Sequence, residues 1–375
     1  MNYPPQSLPP QGPPPGNYGP PQGNPGQWGP PPQQPPWPPQ QWPLGPPPKK
    51  RNGWKWALGG VVLLAVIGVT AAVTISVTSG SDNGDPTPAG DTYGLASAND
   101  TGPVGVITED PSCAVWTPII TTFSEIQQKG WADRDESIPA SRWTAEQRAQ
   151  YEEVRGAAIT AAEQAVPLAR LTPHRVMREF YEQFIAYARA YSEAIPNYEP
   201  ADERLARAMI SSSAVLVHAC DAINSGSAAA RAPLIESAPP PDTTAPLADP
   251  ANPKRFMTEP DPICPDWIKL LEGFDVETDA WQSMLSSTPA SQWTAEERRI
   301  VAATIPVFNA FADRALEIAD RTSNPILADF ITFSAQYRRA YAAGLPSYIP
   351  ADQYLAFSAA SAASTVYNAC RAPRG

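Results

Sequence analysis

An internal duplication in the C-terminal part of the chain places the strongest constraint on the fold. The segment PASRWTAEQR at residues 139–148 returns as PASQWTAEER at residues 289–298, an offset of 150. The same offset joins Trp131 to Trp281, Phe180 to Phe330, Tyr187 to Tyr337, Tyr191 to Tyr341, Pro196 to Pro346 and Cys220 to Cys370. Similarity at one long period predicts two copies of a single domain and not a solenoid of many short repeats.

Each copy is predicted to contain four helices, so this part of the chain belongs to the mostly α class. Apolar residues of the third helix recur at helical spacing: Val176, Phe180, Phe184, Tyr187 and Tyr191. Thr144 and Gln147 have the spacing of a capping box at the start of the second helix, and Thr294 and Glu297 repeat it. Pro306 stands in the second copy where Gly156 stands in the first, which predicts a kink or break in the second helix of both copies.

The chain has four cysteines, Cys113, Cys220, Cys264 and Cys370. Their spacing does not match a zinc site, and an even count in an exported region predicts two disulfides. In an up-down-up-down bundle the first helix starts at the end where the fourth helix finishes. The duplication therefore selects one bridge per copy, Cys113–Cys220 and Cys264–Cys370.

The region before the duplication contains an uncharged apolar run of 22 residues, Trp56–Val77. At about 1.5 Å per residue this run spans a hydrocarbon core of roughly 30 Å, which predicts one transmembrane helix. Four basic residues precede it and all 38 acidic residues follow it. This bias predicts a single-pass protein of the cell membrane, with a cytoplasmic N-terminus and extracytoplasmic C-terminal domains.

Residues 1–48 carry no charged side chain and hold 21 of the 47 prolines. This composition predicts a disordered tail that samples the polyproline II conformation. Two interpretations stay open: a docking strip for a cytoplasmic protein with an aromatic-lined groove, or a solvated tail without a fixed partner.

These signals divide the chain into six predicted segments. They are a disordered Pro-rich tail at 1–53, a transmembrane helix at 54–78, a spacer at 79–111, a first helical domain at 112–225, a Pro/Ala-rich linker at 226–262 and a second helical domain at 263–375. The linker composition predicts two copies with some relative freedom. The composition of the linker does not indicate whether the two copies also pack on each other.

Aromatic residues are the candidates for a binding site. The tyrosines near the end of each third helix are Tyr187, Tyr191, Tyr198, Tyr337, Tyr341 and Tyr348. They line either a pocket for a lipid, sugar or haem, or the core of each bundle, which is the more common role of such a stripe. Trp143 and Trp293 precede a helix cap, and packing against Arg148 and Arg298 is favoured over a ligand contact.

No catalytic or metal-binding constellation is recognised in the sequence, so neither an enzyme activity nor a cofactor is predicted. His174 and His218 align with Asn324 and Asn368 in the second copy, which excludes a histidine role shared by both copies. The net charge of −11 argues against a nucleic-acid partner, since no basic face is present.

The uncharged tail rich in PP, PPP, QWP and PPG, the KKRNGWKW border and the apolar run resemble proline-rich single-pass membrane proteins of actinobacteria, particularly mycobacteria. The resemblance implies a cell-envelope location and little about activity. The leading hypothesis is a non-enzymatic envelope scaffold that binds a protein or lipid through its duplicated domains. The alternative is a ligand-binding or sensory domain with a lipid, glycolipid or haem between its helices.

Overall fold

The computed structural model describes residues 92–284 and 286–372, and these ranges are mostly helical and contain no strand. The first copy comprises α1 (Cys113–Gln127), α2 (Ala145–Leu171), α3 (Arg175–Ala194) and α4 (Glu203–Asn224). A short helix, α5 (Ser227–Arg231), follows it. The second copy comprises α6 (Cys264–Glu277), the short α7 (Asp279–Gln282), α8 (Ala295–Ala319), α9 (Pro325–Gly344) and α10 (Gln353–Ala369).

Local sequence signals set several of these helix ends. The hydroxyl of Thr144 accepts from the backbone N–H of Gln147, whose side chain in turn accepts from the backbone N–H of Thr144. Thr294 and Glu297 form the same reciprocal pair at the start of α8, so both predicted capping boxes are confirmed. The alternative of a break is wrong in both copies, because α2 continues through Gly156 and α8 continues through Pro306.

Each copy packs its four long helices around a core, and one disulfide closes each copy. In the first copy α1 and α3 both pack against α2 and α4, and in the second α6 and α9 both pack against α8 and α10. The bridges are Cys113–Cys220 and Cys264–Cys370, with Cα–Cα distances of 5.3 and 5.6 Å. The pairing selected by the duplication is therefore present.

The two copies pack directly on each other, chiefly through their fourth helices. Arg204, near the start of α4, donates to the side chain of Asn368, near the end of α10, so these helices are antiparallel. The rings of Phe180 and Phe330 stack with centroids 3.9 Å apart and planes 6° apart. Since these two residues are equivalent in the duplication, the copies are related by an approximate two-fold axis close to this stack.

Residues 92–112 and 235–263 mostly lack helical structure, yet they pack on the helical core. Leu95, Val104 and Ile107 in the first segment are buried, as is Met257 in the second. The linker region also includes Arg231, which forms an ion pair of 2.8 Å with Asp352 of the second copy. The described parts of the predicted spacer and linker are therefore packed parts of the fold.

The membrane prediction requires a correction. Among residues 92–284 and 286–372, no helix is both long enough and apolar enough to cross a membrane. The predicted span Trp56–Val77, like the predicted tail at 1–53, lies outside the described residues. The mostly helical class is confirmed. The structure does not support the prediction of a transmembrane helix, nor that of a single-pass location in the cell membrane.

Candidate functional site

The tyrosines that were candidates for a pocket lie in the cores of the two copies. Their side chains are at most 4 % exposed, and they are Tyr187, Tyr191, Tyr198, Tyr337, Tyr341 and Tyr348. Burial raises the pKa of each of these phenols above its ordinary value. They consequently stay protonated at neutral pH, and they fill space that a ligand would need.

The tryptophans before the second helix of each copy also have a structural role. The indole of Trp143 stacks on Tyr151 at 3.8 Å and donates to the backbone oxygen of Ile138 at 2.8 Å. Trp293 stacks on Tyr348 at 5.6 Å and makes the equivalent bond to Thr288. These contacts close one end of each bundle, and they correspond to the packing interpretation of the cap tryptophans.

A buried charged cluster lies where the third helices of the two copies meet. The guanidinium of Arg175 donates to both carboxylate oxygens of Asp329 at 2.7 and 3.2 Å. Burial, together with the nearby charge of Asp329, raises the pKa of Glu179 well above its ordinary value. Burial also raises the pKa of Glu182 to about 7, against the opposing influence of Arg178.

The sequence-based predictions do not include this cluster, although the duplication contains a signal for it. Glu179 and Asp329 are equivalent residues, and both are acidic on the apolar face of a third helix. The approximate two-fold axis brings equivalent residues together, so two acids that are distant in sequence meet in the interior. This signal becomes readable only once the copies are known to pack through these helices.

The surface of the second copy carries a groove between α6 and α8, with a volume of about 340 Å³. Its apolar lining includes Leu270, Phe274, Val307 and Phe311. Charged residues surround this lining: Asp266, Lys269, Glu277 and Arg314. The groove is open to solvent, and its rim carries two carboxylates and two basic groups.

A buried arginine lies directly against the floor of this groove. The guanidinium carbon of Arg338 is 4.2 Å from the ring centroid of Phe274 and 4.1 Å from that of Phe311. Arg338 is only 5 % exposed, and its Nε has no hydrogen-bond partner. Burial lowers the pKa of Arg338 to about 9, so the guanidinium is still charged at neutral pH.

The first copy has a different core at the corresponding place. Phe184 of α3 fills it there, packing on Trp116 with ring centroids 5.2 Å apart. The duplication places Ser334 at the position of Phe184, Arg338 at that of Ala188 and Phe311 at that of Ala161. The second copy therefore draws its aromatic filling from α8, and the space left by the missing phenylalanine holds a guanidinium. The pair Ala188 and Arg338 was the sequence signal for this site.

Metal chemistry receives no support from the described residues, since these ranges contain no group of three or more His, Cys, Asp or Glu side chains placed to hold an ion. The two histidines have separate environments. His174 lies within 2.9 Å of the backbone oxygen of Glu109, and burial lowers the pKa of His218 to about 4.

Comparison with known proteins identifies a mycobacterial family. An uncharacterized protein of Mycolicibacterium smegmatis (strain MKD8) is 46% identical over 338 residues, covering 88% of this chain and 89% of that protein. No solved structure matches this chain. The mycobacterial part of the resemblance is confirmed, while its single-pass and proline-rich parts are not shown. The profile of the mycobacterial ESX-1 associated protein matches residues 95–375 and so includes both copies and the segment before α1, and the chain belongs to this family.

Proposed function

We propose that this chain is a non-enzymatic scaffold that works with the ESX-1 secretion system through protein contacts on its outer helices. The observation that supports this proposal best is the packing of the two copies. The third and fourth helices of one copy pack against those of the other copy, and the candidate pocket aromatics are core residues. The outer surfaces of the first and second helices of each copy are left for partners.

An asymmetry between the copies supports α6 as a contact surface. Val276 on α6 is 78% exposed, and the offset of 151 that joins the first cysteines places Glu125 at the equivalent position on α1. An apolar side chain with this exposure loses contact with water only when another molecule covers it. Since Glu125 is exposed too, the two positions form a matched pair for an experiment.

The test is photocrosslinking in mycobacterial cells with a photoreactive residue at position 276 or at position 125. We expect position 276 to capture a component of the ESX-1 system, identified by mass spectrometry, and position 125 to capture it much less. Cells that lack ESX-1 should lose the adduct. The scaffold proposal fails if neither position yields an ESX-1 component in cells that secrete normally.

The Pro-rich tail adds a second proposed contact. Its uncharged proline and tryptophan content fits an aromatic-lined groove on a partner protein. Affinity capture with the full chain and with a chain lacking residues 1–48 tests this contact. Recovery of the same partners from both chains would remove the recruiting role of the tail.

A ligand pocket lined by the tyrosines, the alternative function, loses its main support. Tyr187, Tyr191 and Tyr337 have 0% exposure, and Tyr337 accepts from the backbone N–H of Ile107 at 3.2 Å. Neither the groove between α6 and α8 nor a second surface depression, which includes Leu234 and Ile305, contains these residues. Any ligand site in the described structure must therefore be sought elsewhere.

A further inference from the structure

The buried charged cluster between the third helices holds three carboxyl groups and two guanidinium groups. They belong to Arg175, Arg178, Glu179 and Glu182 on α3 and to Asp329 on α9, and each side chain is at most 9 % exposed. If all three carboxyls were ionised, one negative charge would lie in the interior without a cation, which is strongly disfavoured. The balance of charge therefore favours a cluster in which one carboxyl carries a proton.

The contacts of the three carboxyls identify Glu179 as the neutral one. Asp329 accepts two N–H bonds from Arg175 and so keeps its negative charge. No N–H or O–H group of residues 92–284 or 286–372 donates to either oxygen of Glu179, and its ion pair with Arg178 is long, at 3.6 Å. The carboxyl of Glu179 is nevertheless within hydrogen-bonding reach of that of Asp329. Two carboxyls can form this bond only when one of them is protonated.

We propose that Glu179 and Asp329 form a proton-binding site at the contact between the two copies, in which the protonated carboxyl of Glu179 donates to the carboxylate of Asp329. The site takes up one proton from solvent when the copies pack and releases it when they separate. Because the bond joins α3 of one copy to α9 of the other, the proton stabilises the packing of the copies. This site is independent of the ESX-1 scaffold role, which can fail or hold without it.

The charged groups around Glu179 lie on three elements. On α3, Arg178 lies between Glu179 and Glu182, with 3.9 Å between Arg178 and Glu182. In the segment before α1, Asp100 lies 3.9 Å from Arg175, and its side chain is 31 % exposed. The contribution of α9 is the accepting carboxylate itself. Since water screens the charge of Asp100, it leaves the charge balance of the five buried groups unchanged.

A proton bound at this site makes the packing depend on pH. Burial, together with the charge of Asp329, raises the pKa of Glu179 well above its ordinary value of 4.5. Above pH 4.5 the unfolded chain releases a proton that the folded chain keeps, so the unfolding constant rises about ten-fold per pH unit until the pKa of folded Glu179 is reached. Glu182 acts in the same direction only up to its folded pKa of about 7. Within this cluster, a rise above that pH therefore reports Glu179.

The direct test is ¹³C NMR of the full chain labelled with ¹³Cδ-glutamate, because the Cδ shift reports whether a carboxyl is protonated. At pH 8 we expect one protonated glutamate, which Glu179→Gln should remove. Glu193→Gln, at an exposed position of the same helix, is the matched control and should retain it. Asp329→Asn removes the anion that Arg175 and the proton both need, so Glu179 should then titrate at a lower pH.

Urea denaturation measures the effect of the proton on folding. The wild-type unfolding constant should rise about ten-fold between pH 7.5 and 8.5. Glu179→Gln should show no such rise, because its amide donates to Asp329 without titrating, and Glu193→Gln should behave as the wild type. The wild-type measurements test the proposal even if a variant fails to fold. A wild-type spectrum at pH 8 without a protonated glutamate, its persistence in Glu179→Gln, or a wild-type unfolding constant that stays level would each overturn the proposal.

Discussion

At the scale of single residues, two buried arginines differ in the number of hydrogen bonds that their guanidinium groups make. Arg175 donates to Asp329 and also to the backbone oxygens of Asp100 and Gly102, at 2.8 and 3.1 Å. The guanidinium of Arg338 lies over the rings of Phe274 and Phe311, and these contacts offset only part of the hydration energy that burial removes. Hydrogen bonds therefore compensate the burial of Arg175, whereas the burial of Arg338 has no comparable compensation.

Replacing Arg338 with methionine should stabilise the free protein. The change removes an uncompensated charge and keeps a flexible apolar side chain of similar length, so we expect a gain of about 1 kcal/mol or more in the free energy of unfolding. Urea denaturation of the full chain measures it. Arg339→Met should gain nothing, and a lower stability of the Arg338→Met variant would show that its ring contacts outweigh its desolvation.

Glu182 should make stability depend on pH. Its pKa in the folded protein is about 7, against an ordinary value of 4.5. The folded state then holds a proton that the unfolded state releases, so stability is highest below about pH 4.5 and is lost as the pH rises to 7. Deprotonating this group in the buried cluster is expected to cost up to about 3 kcal/mol.

The variant Glu182→Gln imitates the protonated acid and tests this dependence. It should match the wild type at pH 4 and be more stable at pH 8 in urea denaturation. Glu163→Gln, on the exposed face of α2, is the control and should leave the pH profile unchanged. Parallel profiles for Glu182→Gln and the wild type between pH 5 and 8 would contradict the prediction.

At the scale of elements, the segments that precede α1 and α6 are as much a part of the repeat as the helices. Asp110 accepts from Thr172 at 2.5 Å, and Asp261 accepts from the equivalent Thr322 at 2.8 Å. The segment before α1 also reaches Tyr337 of the second copy through the backbone N–H of Ile107. These straps hold the copies together from outside the helical interface.

Arg175→Met should detach the strap at residues 92–112. The variant leaves Asp329 buried without its cation, which typically costs about 3–5 kcal/mol, and it frees two backbone oxygens of the strap. Hydrogen exchange followed by mass spectrometry should then show faster exchange at 92–112 than in α2. Arg142→Met, at an exposed position, is the control. Uniformly faster exchange along the chain would show that Arg175 stabilises the whole fold and not the strap in particular.

The elements that sequence analysis found are those with local signals. Capping boxes and apolar stripes depend on spacing within one copy, the cysteine pairing follows from the duplication and the order of the helices, and the structure has all three. The straps were assigned to a spacer and a linker because their proline and small residues hide the pattern. The segment Ile107, Thr108 and Glu109 does correspond to Met257, Thr258 and Glu259 in the second copy. An extra residue, Pro260, separates this second segment from Asp261 and so shifts the offset from 150 to 151.

The candidate site was not predictable from one copy alone. Arg338 occupies a position of the third helix that is buried, yet charged residues on a helix usually lie on its solvated face. Its environment depends on Ser334 and Phe311, one from its own helix and one from α8. Only the contrast with Ala188, Phe184 and Ala161 in the first copy indicates a changed core, and only the packing shows what replaced it.

At the scale of the whole molecule, the described residues 92–284 and 286–372 form one compact unit and not two separate beads. The fourth helices share a long interface, along which Arg204 donates to Asn368 and the ring of His218 lies 5.2 Å from that of Phe357. Neither copy can leave the other without exposing this face and the stacked pair Phe180 and Phe330. A domain made of two similar halves in this way should unfold as one.

Removing one disulfide tests this cooperativity. Cys264→Ser with Cys370→Ser opens a loop with a sequence separation of 106, and we expect a loss of about 2–5 kcal/mol in the free energy of unfolding. If the two copies unfold together, hydrogen exchange should become faster by a similar factor in α3 of the intact first copy and in α9 of the altered second copy. Cys113→Ser with Cys220→Ser is the reciprocal control, with the same result expected. Unchanged protection of α3 in the first variant would mean that each copy is an independent folding unit, and that the contacts across the two-fold axis only dock two preformed bundles.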